Sequence, residues 1–476
     1  MSGSDSGGDS FFADWVNVYP KSVKGKFRRL KWISLCTLLG IYYLGPWLRW
    51  DRGDDAPGQA LIVDLTSQRA YFFFVEIWAQ EVYYFTGVLI IAAISLFFAT
   101  ALAGRVWCGY ACPQTVWTDL FMWVERQIEG DRAARMRLDK GPIGLGWITR
   151  KVSKHIAWMF IAFATGGAWV FYFNDAPTLM LDILTGNASF TIYAVILSLT
   201  GSTYLMAGWA REAVCTYMCP YARFQGAMLD DDSLVVTYDD QRGESRGAHK
   251  KGTSWEGRGD CIDCNACVAV CPTGIDIRDG LQLECIGCGL CADACNNIMD
   301  RVERPRGLIR YDTLRIMNAK AEGKDPKYHL IRPRTIVYTM ILLIVIMVML
   351  AALILRTDSS VNVLRDRNPL FVTLADGSVR NGYTVKILNM KREDRSYHLR
   401  LSGVKDAQMT VIGHAKEPVK DISLNVRSDS VSTFRVFVYA ARAALKSDAN
   451  VMRFVVTEEQ SQKIMDHETS FRGPEK

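Results

Sequence analysis

Histidine is scarce in this sequence, and its positions exclude one class of membrane redox protein. The 476 residues contain six histidines, which are His155, His249, His329, His398, His414 and His467. Only His155 lies next to a long apolar segment, at its basic end. A haem held between transmembrane helices usually needs facing axial ligands, most often histidines. A membrane b-type cytochrome is therefore excluded.

Cysteine is absent after Cys295, although the chain has 13 cysteines. Cys36 lies inside an apolar segment and is interpreted as a small buried hydrophobic residue. All the others lie within residues 104–155 and 211–335. A secreted disulfide framework would show the reverse distribution, with cysteines in the outer domain. The thiols are therefore available to bind metals.

Charge is absent from five long apolar segments, at residues 32–48, 83–103, 156–173, 190–210 and 336–355. A helix needs roughly 20 residues to cross the hydrocarbon core of a bilayer. The pattern therefore predicts a bundle of five transmembrane helices. The polar start MSGSDSGGDS predicts no cleavable signal peptide.

Lysine and arginine alternate between the connecting segments. Residues 105–154 contain nine of them, whereas residues 174–189 contain none. The positive-inside rule then places the N-terminus, residues 104–155 and residues 211–335 on the cytoplasmic side of a bacterial inner membrane. The tail after residue 355 is predicted to be periplasmic. The net charge of +6 is accounted for by this topology, so no nucleic acid partner is expected.

Two cysteine runs repeat the spacing C-x2-C-x2-C-x3-C. This is the arrangement of bacterial ferredoxins with two [4Fe-4S] clusters, in which the fourth cysteine of each run binds the other cluster. Zinc is the alternative for paired C-x2-C units. The predicted ligands of the first cluster are Cys261, Cys264, Cys267 and Cys295. Those of the second cluster are Cys285, Cys288, Cys291 and Cys271.

A second pattern, Cys-x3-Cys-Pro, follows two of the apolar segments. In a helix, residues four apart share a face, and the prolines Pro113 and Pro220 would end, kink or open a helix. Four converging thiols would suit copper(I), zinc or a further cluster, and Arg105 and Arg211 are predicted to favour the thiolates. The predicted metal-binding and catalytic set is Cys108, Cys112, Cys215 and Cys219, with Met218 as a weaker ligand.

The remaining pattern completes a multi-domain architecture. Alternating apolar and polar residues after residue 358 predict an all-β immunoglobulin-like sandwich. The predicted order is a tail (1–31), four helices with both Cys-x3-Cys-Pro motifs (32–230), a linker (231–258), an inserted α+β ferredoxin-like domain (259–310), a return segment (311–335), the fifth helix (336–355) and the sandwich (358–476).

With these parts in place, the chain resembles the CcoG/FixG/RdxA family. The resemblance runs from about residue 21 to the C-terminus. It depends on the stretches WCGYACPQTVW, CTYMCPYARFQGAM and CIDCNACVAVCP…CIGCGLCADAC, together with the C-terminal sandwich. It implies two [4Fe-4S] clusters and reduction of Cu(II) to Cu(I), with copper as substrate at the four Cys-x3-Cys-Pro thiols. The reduction would serve assembly of the copper centre of a cbb-type cytochrome c oxidase.

The partners implied are the membrane, copper chaperones or transporters, oxidase assembly factors, and a soluble reductant or a quinol as electron donor. A homodimer is compatible with the sequence. The alternative function is a quinol-linked relay subunit of the NapH or NosR type that feeds a periplasmic reductase. A third interpretation is an assembly scaffold whose clusters only stabilise the fold.

Overall fold

The computed structural model describes residues 18–53, 56–249, 254–324, 327–415 and 417–474. The chain divides into two compact units, Met1–Met349 and Leu350–Lys476. The first unit holds the helices and the cysteine motifs, and the second consists mainly of β-strands. The predicted tail (1–31) and linker (231–258) lie partly outside the described residues.

Helices dominate the first unit. In chain order they are α1 (Lys26–Leu44), α2 (Tyr83–Ala103), α3 (Pro113–Glu129), α4 (Arg132–Lys140), α5 (Leu145–Val170), α6 (Ala176–Thr185), α7 (Phe190–Thr203), α8 (Pro220–Met228), α9 (Asp240–Gly243), α10 (Ala266–Val270), α11 (Leu290–Arg301), α12 (Leu314–Ala321) and α13 (Pro333–Ile354). A π-helical stretch, Tyr204–Ala210, extends α7.

Within the described residues, three helices are long and apolar enough to cross a membrane. They cover Ala79–Ala103, Phe190–Ala210 and Pro333–Ile354. Large apolar side chains on these helices are exposed, for example Leu89 at 69% and Met347 at 63%. Such surfaces suit a lipid environment, in which the backbone hydrogen bonds are satisfied inside each helix.

The predicted count of five transmembrane helices is not confirmed. Helices α1 and α5 occupy the positions of the other two predicted spans but carry positive charges, including Lys31 in α1 and Lys151 and Lys154 in α5. These charges lie in the first half of each helix, so the apolar part is shorter than the helix itself. The structure therefore supports a membrane protein with three candidate spans.

Small residues and aromatic rings join the helices of the first unit. A Cβ atom on Gly166 of α5 would lie 2.7 Å from the backbone oxygen of Ile196 in α7, so glycine permits this close approach. The Phe121 ring of α3 stacks on Trp158 of α5 with centroids 5.4 Å apart, and Trp158 donates to the Phe121 carbonyl. Helices α3, α5 and α7 thus form one packed group.

Two small antiparallel sheets complete the first unit. Strands β1 (Leu61–Asp64), β2 (Arg69–Phe72) and β3 (Val75–Trp78) form a three-stranded meander between α1 and α2. Strand β4 (Val235–Tyr238) pairs with β5 (Ile309–Asp312), and these two strands lie on either side of the ferredoxin-type cysteines in the chain. The β4–β5 pair thereby closes the cysteine-rich segment into a domain.

The second unit is a two-sheet β-sandwich, as the alternation predicts. One sheet has the order β10-β12-β8-β6 with β7 on β8, and the other has the order β11-β9-β13-β14. The strands are β6 (Ser359–Arg365), β7 (Val372–Thr373), β8 (Ser378–Asn389), β9 (Arg395–Ser402), β10 (Gln408–Val411), β11 (Asp421–Val426), β12 (Ser430–Ala441), β13 (Ala449–Glu458) and β14 (Ile464–Arg472).

The sandwich core comes from every second residue of its strands. Val436 and Val438 of β12 are fully buried, as are Phe454 and Val456 of β13. The side chains between them point away from this core, as the period of two requires. This alternation is what made the sandwich predictable.

Candidate functional site

The ferredoxin-type cysteines line two neighbouring cavities. One, with an empty volume of about 350 Å³, is lined by Cys261, Cys264, Cys267 and Cys295. The other, of about 360 Å³, is lined by Cys271, Cys285, Cys288 and Cys291, and Cys267 also reaches it. Each group of four is the set that the spacing predicts for one cluster, with the fourth cysteines exchanged. Four thiols around an enclosed apolar space fit a [4Fe-4S] cluster.

The two cysteine loops share one backbone conformation. Asp263 and Asn265 in the first loop have φ angles of 54° and 53°, and the equivalent Gly287 and Gly289 have 65° and 70°. Glycine, asparagine and aspartate are the residues that adopt this left-handed conformation most readily. Helices α10 and α11 begin directly after Asn265 and Gly289. The repeat in the sequence is therefore a repeat in the structure.

Burial sets the protonation of these thiols in the metal-free protein. It raises the pKa of Cys267 to about 11 and the pKa values of Cys288 and Cys295 to about 12. An iron ligand must be a thiolate. Binding of iron to these cavities would therefore release protons.

The two Cys-x3-Cys-Pro segments also share one backbone conformation. Each forms a π-helical turn, Trp107–Ala111 or Val214–Met218, closed by the amide of its second cysteine at 2.8 Å from a carbonyl five residues earlier. Pro113 and Pro220 then begin α3 and α8. Of the predicted roles for proline, opening a new helix is the observed one. The cysteines are spaced on a π turn, which is rare and frequent at functional sites.

A residue with a positive φ angle precedes each π turn at the same distance. Gly104 has φ 58° and ψ −125°, and Arg211 has φ 41° and ψ −117°, each four residues before a cysteine. Gly104 and Arg211 are therefore the equivalent residues of the two segments, and Arg105 lies one residue later. An arginine in this region is costly, and such strain is concentrated at functional sites.

The structure brings the four Cys-x3-Cys-Pro thiols together. Cys108 is close enough to interact electrostatically with Cys112, Cys215 and Cys219. Among the described residues, however, no group of three or more His, Cys, Asp or Glu side chains is arranged tightly enough to hold one metal ion. The four thiols are thus neighbours whose spacing must adjust before they can share a single ion.

The predicted thiolate stabilisation is not observed in the metal-free protein. Burial raises the pKa of Cys108 to about 12, and the opposing effect of Arg105 is smaller. Burial likewise raises the pKa of Cys215 to about 11, against a smaller lowering effect of Lys31. Arg211 donates instead to the carbonyl of Gly208 and pairs with Glu125 at 3.1 Å. The prediction failed because a linear motif does not show in which direction an arginine side chain points.

The first Cys-x3-Cys-Pro segment is docked on the second ferredoxin loop. A Cβ atom on Gly109 would lie 2.9 Å from the carbonyl oxygen of Gly287 and 3.1 Å from Cα of Cys288. The Tyr110 hydroxyl donates to the Cys288 carbonyl at 2.8 Å. Arg105 donates to the Cys285 carbonyl at 2.9 Å. The backbones of the two motifs are therefore in direct contact.

The thiols also share an apolar cluster with that loop. Cys108 and Cys215 pack against a buried group that includes Ile286 and Cys288. The Cys108 thiol additionally donates to the Gln225 side-chain oxygen at 3.2 Å. A metal-binding loop and the paired thiols thus adjoin each other without an intervening layer of residues.

Several residues that position this site were missed in the sequence. Asp293 of α11 accepts hydrogen bonds from the backbone of Phe27 and Arg28, which fixes the start of α1 on the ferredoxin segment. Lys31, with 3% of its surface exposed, pairs with Asp119 at 3.8 Å. The basic cluster in residues 21–31 was interpreted only as a topology signal. Met218, a predicted weak ligand, is 61% exposed.

Comparison with known proteins gives three family matches. Residues 85–129 match a 4Fe-4S binding domain, residues 210–314 match a 4Fe-4S dicluster domain, and residues 349–474 match the Ig-like fold at the C-terminus of FixG. The first match contains Cys108 and Cys112, and the second contains the other two Cys-x3-Cys-Pro cysteines with all the ferredoxin-type ones.

Three curated proteins are similar along most of the chain. The nitrogen fixation protein FixG of Rhizobium meliloti is 51% identical over 88% of this chain and 86% of its own length. Protein RdxB of Cereibacter sphaeroides is 46% identical over 99% of both chains. Protein RdxA of the same organism is 44% identical over 92% of both chains.

Proposed function

Since the chain belongs to the FixG/RdxA family, we propose that it is an oxidoreductase that reduces Cu(II) to Cu(I). The reduced ion would be delivered, through copper chaperones or transporters, for assembly of the copper centre of a cbb-type cytochrome c oxidase. The chain is a membrane iron–sulfur electron-transfer protein, as the family, the cluster domains and the three candidate spans support.

The observation that carries the proposal is the contact between the paired thiols and the second ferredoxin loop. Cys108 and Cys215 pack in one apolar cluster with Cys288, and Gly109 lies against the backbone around Cys288. An ion held by the thiols would lie beside a cluster ligand. A single electron would therefore have a short path to it.

The eight ferredoxin-type cysteines are assigned to hold two clusters, in the two groups of four that line the cavities. When bound, such clusters accept and donate single electrons. The largely apolar walls shield most of the ligands from water, whereas Cys264 is exposed. They also place the second group, with Cys288, next to the paired thiols.

The four Cys-x3-Cys-Pro cysteines are assigned to bind copper and to act at the reduction step, Cu(II) + e⁻ → Cu(I). Sulfur ligands prefer Cu(I), whereas Cu(II) prefers nitrogen and oxygen ligands. Binding by these thiols therefore favours the product. Because burial raises the pKa values of Cys108 and Cys215, binding must release protons and should tighten as pH rises.

Exposure suggests how copper would enter. In the second segment Tyr217 and Met218 are 68% and 61% exposed, whereas Tyr110 in the first is 7% exposed. Copper would then arrive at the second segment, where the Met218 thioether is a further soft ligand. The positive-inside pattern supports a cytoplasmic location for this site and a periplasmic one for the sandwich.

The test is Cu(II) reduction by protein whose clusters have been reduced with dithionite and freed of excess reductant, without oxygen. The variant Cys108→Ser, Cys112→Ser, Cys215→Ser, Cys219→Ser should form no Cu(I)–chelator complex while it keeps its iron. Cys36→Ser is the matched control, because this thiol of α1 belongs to neither cysteine pattern and, contrary to the prediction that it is buried, is exposed.

Two results would overturn the proposal. Unchanged Cu(I) formation in the four-serine variant would remove these thiols from the reaction. Loss of about four irons per chain from that variant would assign the thiols to a further cluster instead of copper. Cluster oxidation that proceeds equally well without copper, with a periplasmic acceptor, would favour the relay function of the NapH or NosR type.

A further inference from the structure

A large, open apolar cavity lies among the helices of the first unit, away from the ferredoxin-type cysteines. Its empty volume is about 1120 Å³, and its lining comes from α1, α3, α5, α7 and the π-helical extension of α7. Aromatic rings of Tyr42, Trp117 and Trp169 form part of the wall. The cavity borders Phe190–Ala210, one of the three candidate membrane spans.

The cavity reaches the Cys-x3-Cys-Pro segments. Its lining includes Pro113, which directly follows Cys112, and Val214, which directly precedes Cys215. A molecule in the cavity would therefore contact both segments at residues bonded to the thiol-bearing ones. This position links the cavity to the redox site.

Polar groups in the wall are held in fixed positions. The Gln114 amide nitrogen donates to the carbonyls of Met206 and Arg211 at 2.8 and 3.0 Å. Since the amide nitrogen is engaged, the amide oxygen is the part of Gln114 suited to accept a hydrogen bond from a ligand. Thr165 accepts from Trp117 at 3.0 Å. An apolar wall with a few fixed polar groups is typical of small-molecule sites.

These features select the kind of occupant. The apolar lining and the bordering candidate membrane span favour a ligand that is soluble in the bilayer over a charged, water-soluble reductant. A lipid acyl chain would use neither the aromatic rings nor the amide. A flat ring with hydroxyl groups and an apolar tail matches the aromatic rings, the amide oxygen and the apolar wall together.

We propose that this cavity binds the ring of a membrane quinol, which donates the electrons used at the thiol site. The inference rests on the proposed function, because it supplies that function with its electron donor. Ubiquinol and menaquinol share the required chemistry, a hydroquinone ring on an isoprenoid tail.

The reaction balances with acceptors held by this chain. Both O–H bonds of the quinol break, and two electrons leave to two oxidised iron–sulfur clusters held by the ferredoxin-type cysteines. Two protons leave to solvent, and a quinone remains. Gln114 also lines a smaller cavity with Glu212, and Glu212 lines a larger polar cavity with Asp139 and Lys151. Gln114 is therefore shared by the ring site and the smaller cavity, and Glu212 is shared by the smaller and the larger cavity.

The test fills the cavity with the indole side chain of an introduced tryptophan. Ser202 is exposed on α7 and lines the cavity, so Ser202→Trp should occupy the space without disturbing the core. Leu197→Trp is the matched control, because Leu197 is 64% exposed on the same helix and does not line the cavity. Both variants must keep the iron content and the bleaching by dithionite of the parent.

Two measurements are made on the full chain in detergent, without copper. The first is bleaching of the cluster absorbance by decylubiquinol, and separately by menadiol. The second is photolabelling by an azidoquinone, with labelled peptides identified by mass spectrometry. We expect Ser202→Trp to raise the quinol concentration for half-maximal bleaching at least about tenfold and to abolish labelling of α3 and α7. Leu197→Trp should stay within about twofold of the parent.

Equal behaviour of the two tryptophan variants would overturn the inference. So would labelling that phospholipid displaces and quinol does not, which would show a lipid site. The quinol that bleaches the clusters at the lower concentration identifies the natural donor as ubiquinol or menaquinol. Failure of the copper reaction would appear separately, because dithionite-reduced protein would then fail to form Cu(I) while quinol still bleached the clusters.

Discussion

The two Cys-x3-Cys-Pro segments have the same backbone and opposite surroundings. Each has a residue with a positive φ angle four positions before its first cysteine, a π turn between its cysteines and a proline that begins a helix. Yet Tyr110 of the first segment is 7% exposed and bonded to the ferredoxin loop, whereas Tyr217, at the equivalent position of the second, is 68% exposed.

The difference begins with the residue after the first cysteine. The first segment has Gly109, which lets the ferredoxin loop approach to backbone contact, and the second has Thr216, whose hydroxyl donates to the Glu212 carbonyl. A duplicated motif can therefore supply the same thiol geometry twice while only one copy docks the electron-donating loop. The other copy stays accessible to a substrate.

The largest expected effect concerns the ion pairs that join the segments. Glu125 of α3, which follows the first segment, pairs with Arg211 before the second, and also with Arg135 at 2.7 Å and Lys154 at 3.5 Å. Glu125→Gln leaves three cations without this partner. We expect the free energy of unfolding, measured by denaturant titration in detergent at pH 7, to fall by about 3 kcal/mol.

The pH dependence provides the control for this prediction. Burial alone would raise the pKa of Glu125, but Arg211 and Arg135 outweigh it and lower the pKa below its ordinary value of 4.5. A carboxylate with a lowered folded-state pKa stabilises the fold above its unfolded pKa and loses that contribution as pH falls through the folded value. The difference between Glu125→Gln and the parent should therefore shrink below about pH 4.5. A constant difference would contradict the ion-pair explanation.

The next largest effect is expected when the residues that distinguish the two segments are exchanged. Gly109→Thr places a side chain against the carbonyls of Gly287 and Ile286, and overpacking of this kind costs about 2 kcal/mol. Electron transfer to copper should slow with it, as measured by Cu(I) formation from reduced protein. The reciprocal Thr216→Gly should cost less than about 1 kcal/mol, since only chain entropy and one hydrogen bond change. Equal losses would mean that the two segments are not distinguished by docking.

Local repeats were predictable because each is specified within a few residues. The grouping of the ferredoxin-type cysteines follows from their spacing, and the alternation in β12 and β13 predicted a buried core. Both patterns act through neighbours in the chain. They leave a regular signal in the sequence.

Tertiary docking was not predictable, because it depends on contacts between distant segments. Nothing in the motif shows that Gly109 meets Gly287, or that Arg211 turns towards Glu125 and away from the thiols. Lys31 was interpreted only as a topology signal and Asp293 was not singled out, although they hold α1 and the ferredoxin segment in place. The charges in α1 and α5 similarly left the number of spans unconfirmed.

The smallest effect is expected when the hydroxyl group is removed from each of the two equivalent tyrosines. Tyr110→Phe removes the hydroxyl that donates to the Cys288 carbonyl, and the loss of one buried hydrogen bond costs about 1 kcal/mol. Tyr217→Phe removes an exposed hydroxyl and should leave stability unchanged. Because the lost bond touches a proposed cluster ligand, only Tyr110→Phe should also shift the midpoint of a redox titration followed by cluster absorbance. If both variants, or neither, shift that midpoint, the two segments do not have the separate docking and access roles that their surroundings indicate.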